Sequence, residues 1–156
     1  MKEILISTYS SKIRSGVRNP KNYPWWPEII LGLHERGYAV SQLCQNDELL
    51  FIDSFYHNFS LKEIQKKMEL CFTWFSVDNF LPHLANLISK PGIAIFGQSD
   101  PLIFGYPQNL NILKDRKYLR KEQFVWWSLT DYREEVFESP EIILQKFDTF
   151  ALTLKQ

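Results

Sequence analysis

The sequence is poor in the residues that build the simplest recognisable sites. Across 156 residues there are two cysteines and three histidines. Cys44 and Cys71 fall in apolar, strand-like runs and make neither a metal pattern nor a disulfide framework, so both read as buried free thiols. His34, His57 and His83 show no metal-ligand spacing, and no Ser/His/Asp order can be assembled. The expectation is therefore no metal and no cofactor. Apolar stretches are strand-sized, far short of the roughly 20 residues of a membrane helix. The N-terminus MKEILIS has no long apolar signal core, which reads as a cytoplasmic protein without a transmembrane segment. With 18 basic and 18 acidic side chains the formal net charge is zero, so no global field draws the chain to nucleic acid. Neither the phosphate-loop pattern GxxxxGK[ST] nor the dinucleotide pattern GxGxxG occurs. Repeats, linkers and low-complexity tracts are missing too.

Apolar surface is abundant: 45% of residues are hydrophobic and 15% aromatic, enough for one domain over residues 1–156. Ile4-Leu5-Ile6 predicts a buried first strand. A helix follows from Pro27 to Gly37, then a strand over 38–44 and a shorter apolar run at 49–55. Ser60-Leu61-Lys62-Glu63 is a capping box opening a helix over 61–69. Cys71–Val77 reads as a strand, 79–89 as a helix, Ile93–Phe96 as a strand, 97–111 as the long loop after it, 110–113 as a last edge strand, and Ser139-Pro140-Glu141 as the cap of a C-terminal helix. This alternation predicts an α/β fold: a three-layer, Rossmann-like, doubly wound and mostly parallel sheet of five or six strands. Ligands of such sheets bind beyond the carboxyl ends of the strands, which here gathers residues 7–18, Glu48, Asp78 and 97–100.

Lys12, Arg14, Arg18 and Lys21 fall between residues 7 and 27 without a single acid, interleaved with Ser10, Ser11, Ser15 and Gly16. Guanidinium forks and backbone N–H groups suit phosphate oxygens, so this is a candidate phosphate-binding loop; the competing reading is a solvated basic loop. Asp78 stands at a strand end, where it either accepts from a ribose or sugar hydroxyl or caps the next helix. His83 follows in that helix as a phosphate partner or a packing residue. Gly97 and Ser99 close the strand at 93–96, with a glycine permitting close backbone approach to a ligand. The pairs Trp25-Trp26 and Trp126-Trp127 read as core or interface anchors rather than base-stacking platforms.

The run Phe75-Ser76-Val77-Asp78-Asn79-Phe80-Leu81-Pro82-His83-Leu84-Ala85, followed by Lys90-Pro91 and Phe96-Gly97-Gln98-Ser99-Asp100-Pro101, resembles the signature of the ADP-heptose glycosyltransferases, family 9. The likeness spans residues 3–113 and departs from the pattern at Asn79-Phe80, where Thr-Gly is usual, and at Ser99, where threonine is usual. It implies the C-terminal, donor-binding half of a GT-B glycosyltransferase. Ser10, Ser11 and Lys12 would then hold the diphosphate, with Lys21 competing for the place of Lys12, Glu48 the adenosine ribose or base region, and Asp78 with His83 the sugar and phosphates, Asn79 being a further candidate for substrate binding. It also implies that the acceptor and catalytic base lie elsewhere, on a partner subunit, a second copy or another domain. The alternative is a non-catalytic module that captures a nucleotide or sugar nucleotide.

Overall fold

The computed structural model describes residues 1–13, 18–46 and 48–154. Six strands form one sheet: β1 (Glu3–Ser7), β2 (Ala39–Cys44), β3 (Phe55–His57), β4 (Thr73–Val77), β5 (Ile93–Phe96) and β6 (Leu110–Leu113). Their spatial order is β3-β2-β1-β4-β5-β6 and every neighbouring pair is parallel. This is the doubly wound order in which the chain runs outward in one direction from β1 and in the other from β4. β1 therefore lies between β2 and β4, with Ile4 opposite Val40 on one side and Thr73 on the other. The expected "mostly parallel" sheet is wholly parallel among the described residues.

The central strands are apolar on both faces because helices cover both. Side chains alternate: Ile4, Ile6, Phe75, Val77, Ile93 and Ile95 face α1 (Trp26–Glu35) and α5 (Pro140–Thr153) through Ile29, Leu33, Ile143 and Phe147. Leu5, Leu43, Trp74, Ala94 and Phe96 face the other way, onto α2 (Leu61–Leu70) and α3 (Phe80–Leu87) through Ile64, Met68, Leu81 and Ala85. The Ser60/Glu63 capping box forms as its spacing predicts, with the Glu63 carboxylate accepting from the Ser60 backbone N–H at 2.8 Å. Ser139 caps α5 by accepting from Ile142 N.

Two stretches differ from the sequence reading. The apolar run at 49–55 is not the third strand; β3 begins only at its last residue, Phe55. The Gln42 side chain replaces a ladder there, donating to Leu49 O at 2.9 Å and accepting from Phe51 N at 2.8 Å. Residues 114–138, which carry no periodicity, fold as three short 3-10 turns over the carboxyl edge of the sheet, and the loop after β5 contains a helical turn, α4 (Pro101–Phe104). Among the described residues no helix is long and apolar enough to cross a membrane.

Candidate functional site

The loops leaving β1 and β4 diverge at the point where the winding direction reverses, and a cleft of about 1230 Å³ opens there. Its floor is laced shut by side chains. Ser10 Oγ donates to Asp78 O at 2.5 Å, and Asn79 Nδ2 donates both to Ser7 Oγ and to Tyr9 O at 2.9 Å. The same Asn79 caps α3, its Oδ1 accepting from Leu81 N at 2.9 Å. The cap of α3 is thus Asn79 and not Asp78, whose side chain lines the cleft. Asn79 thus does by side-chain hydrogen bonding what a smaller residue could not, joining the two central strands at their ends.

Asp78 is 5% exposed and its Oδ2 pairs with Lys21 Nζ at 3.0 Å. A carboxylate this buried needs such a partner, since desolvation of an unpaired charge is costly. Lys12 and Arg18 line the same cleft. The basic segment is braced by two buried asparagines. Asn22 Oδ1 accepts from Ser10 N at 2.9 Å, while Asn19 donates to Ser11 O at 2.8 Å and accepts from Lys21 N at 3.0 Å. Sequence reasoning missed both, although polar residues locked between prolines in a charged loop were a usable signal. One end of the cleft is formed by Tyr9, Leu43, Gln45 and Leu49, with Glu48 Oε2 accepting from Gln45 N at 2.9 Å. At the other end, exposed His83 takes a 2.6 Å hydrogen bond between its Nδ1 and the Tyr106 hydroxyl.

Ser10, Ser11, Lys12, Arg18, Lys21, Glu48, Asp78, Asn79 and His83 are thereby brought together around one cavity. Arg14 lies outside the described residues. Gly97 and Ser99 are buried but do not line the cleft. The missing Cβ of Gly97 makes room for protein rather than ligand, since a methyl there would lie 2.7 Å from the Phe137 ring and 2.8 Å from Val136. The loop after β5 instead anchors the 114–138 stretch. Gln98 O accepts from Arg120 N and from Gln123 Nε2, each at 3.0 Å, and Asp100 grips Arg116 with both oxygens at 3.0 and 2.8 Å. That stretch brings Trp126, Trp127 and Ser128 to the cleft wall, three residues no local pattern assigned to the site.

The Arg116 guanidinium, helped by the Leu102 N–H, holds the Asp100 carboxyl below its ordinary range. A folded-state pKa below the unfolded one, about 3.9 for Asp, stabilises the fold above that pH and loses the contribution as pH falls through the folded value. Asp100→Asn is thus expected to lower the melting temperature at pH 7 and to converge with the parent protein only as pH falls through and below the folded value. A gap that stays constant from pH 7 to the most acidic pH at which both proteins fold would show that the pair does not set the acid limb.

No protein-family model matches the sequence, and no curated protein matches it. Solved structures do. The ADP-heptose lps heptosyltransferase II of E. coli superposes with a TM-score of 0.70 at 16% identity, over 99% of this chain and 48% of that one. A glycosyl transferase family 9 protein of Veillonella parvula gives 0.73 at 14% identity, over 97% and 46%. The E. coli heptosyltransferase WaaC with ADP gives 0.64 at 16% identity, over 96% and 44%. The fold is that of one heptosyltransferase half. This α/β half, of the GT-B kind, spans just under half the length of each of those chains. Among the described residues no three His, Cys, Asp or Glu side chains group as a metal site.

Proposed function

We propose that the cleft binds a nucleoside-diphosphate sugar and that the chain is the donor-binding half of a glycosyltransferase, working with a partner subunit, a second copy or another domain. The observation that carries this reading is the Lys21–Asp78 pair at the reversal point of the sheet, in one cleft with Lys12 and Arg18. A diphosphate leaving group needs cations where its charge develops, and a donor sugar needs an acceptor for its hydroxyls. Lys12, Arg18 and Lys21 supply the first, and the Asp78 carboxylate supplies the second. Transfer breaks the bond between the anomeric carbon and the diphosphate oxygen, leaving the electron pair on the diphosphate. The acceptor hydroxyl then bonds to that carbon and gives its proton to a base, which on this reading belongs to the partner. One of the matching structures carries ADP and another is named for ADP-heptose, which supports a nucleotide in the cleft.

The test is a thermal-shift and calorimetry panel of ADP, UDP and GDP with their sugar conjugates. A ligand at 100 times its dissociation constant stabilises the native state by about 2.7 kcal/mol, so one sugar nucleotide is expected to raise the melting temperature by several degrees. No shift from any of them would overturn the reading. Binding without donor turnover, even with candidate partners added, would favour a non-catalytic sugar-nucleotide module instead, a reading consistent with the half-length match.

A further inference from the structure

Trp127 is half-buried, lines the cleft, and belongs to a stretch that none of the sheet elements contains. Two cations meet its indole. Lys21 Nζ lies 4.9 Å from the ring centre, and the guanidinium carbon of Arg120 lies 3.4 Å from it. Arg120 is itself fixed, donating to Thr130 Oγ1 at 3.1 Å, to Gln123 O at 2.7 Å and to Val125 O at 3.0 Å. Burial draws its pKa down, and the nearby Asp78 charge pulls it back up. The guanidinium is thus a rigid plate against which the indole rests, and the indole in turn bounds the space open to the Lys21 ammonium.

We infer that Trp127 is a positioning residue for Lys21, holding the ammonium at the cleft beside Asp78 in the geometry that receives a phosphate oxygen. The inference rests on the reading of Lys21 as a diphosphate contact. Asp78 alone would be a poor holder, because a carboxylate that attracts the ammonium also neutralises it toward an arriving anion. An aromatic face attracts the cation through its quadrupole and leaves the full positive charge in place. A lysine stem is also flexible, and restricting it before the ligand arrives removes an entropy loss from binding.

The experiment measures inorganic pyrophosphate binding at low salt for the parent protein, Trp127→Ala, Trp127→Phe, Lys21→Ala and the double Trp127→Ala/Lys21→Ala. Loss of the ring is expected to weaken pyrophosphate about fivefold, the scale of one exposed cation–π contact. Phenylalanine restores most of it, and the double variant matches Lys21→Ala alone, because a residue acting through Lys21 has no effect once Lys21 is gone. Independent, additive losses would overturn the inference. A ligand-free readout separates it from the donor reading: in the parent protein the two Lys21 Hε protons are expected to give distinct NMR shifts under the indole, and these are expected to merge in Trp127→Ala. Unchanged Lys21 signals in that variant would overturn the positioning role. Failure of the parent protein to bind pyrophosphate would instead overturn the diphosphate reading, with the NMR comparison still deciding the role of Trp127.

Discussion

Asp78→Asn is expected to cost a nucleoside-diphosphate sugar about ten- to a hundredfold in affinity, the scale of one hydrogen bond to a charged acceptor, while its nucleoside is unaffected. The carboxylate is almost fully buried, free of capping duty, and aimed into the cleft where it meets Lys21. A donor hydroxyl that replaces water on this group gains a charge-assisted bond that an amide does not give. The substitution has an opposite effect on inorganic pyrophosphate. Without its resting counter-ion Lys21 is a stronger anion contact, so pyrophosphate is expected to bind as well or better. Calorimetry with nucleoside, sugar nucleotide and pyrophosphate on the same two proteins reads both signs. Equal losses for all three ligands would mean general damage to the cleft and would remove Asp78 from donor orientation.

Trp74→Ala is expected to destabilise the fold by about 3–5 kcal/mol, the range for large-to-small core changes. The side chain is 0% exposed on the α2/α3 face of the sheet and its Nε1 donates to Lys90 O at 2.9 Å. Its ring lies directly against Gly92, where any Cβ would collide with it. Truncation therefore empties a large volume between sheet and helices and strands a carbonyl as well. Stability totals of about 5–15 kcal/mol are usual for such domains, so the variant is expected to stand near the edge of folding at 37 °C. Urea unfolding checks this through a lowered midpoint with unchanged slope. A loss under about 1 kcal/mol would mean that the neighbours collapse into the space.

Where burial dictates residue type, the fold is plain in the sequence. Ile4-Leu5-Ile6 and Ile93–Phe96 are apolar without interruption, and Thr73–Val77 is buried throughout with Thr73 and Ser76 its only polar residues, because both faces of these strands are covered, and the capping box at Ser60 carries its own hydrogen-bond logic. β3 was hidden because its short edge strand is half-solvated and has no buried stripe to read. The 114–138 stretch was hidden for another reason: its order comes from Arg116, Arg120 and Gln123 bonding to residues 98 and 100 and to their own turns, which no local period encodes. The site divides along the same line. That Lys12, Arg18, Lys21, Asp78 and His83 line one cleft follows from their places just beyond strand ends, whereas Trp127 reaches the same cleft only through the long-range bonds that anchor the 114–138 stretch. Gly97 misled because a glycine after a strand suits a ligand and a packed phenylalanine equally well.

The parallel register also sets an order of assembly. β1 is synthesised before the other five strands of the sheet, yet its central neighbour β4 pairs Ile4 with Thr73, and the face that carries Phe75 and Ile29 is covered only when Ile143 and Phe147 of α5 arrive. Such long-range pairing slows folding relative to a fold of local contacts, because loop closure precedes any reward from contact. During synthesis, residues 29–33 and 75–77 lack their cover until α5 has left the ribosome. For this polypeptide the vulnerable interval is the time taken to translate residues 78–153, when premature association competes with the native fold.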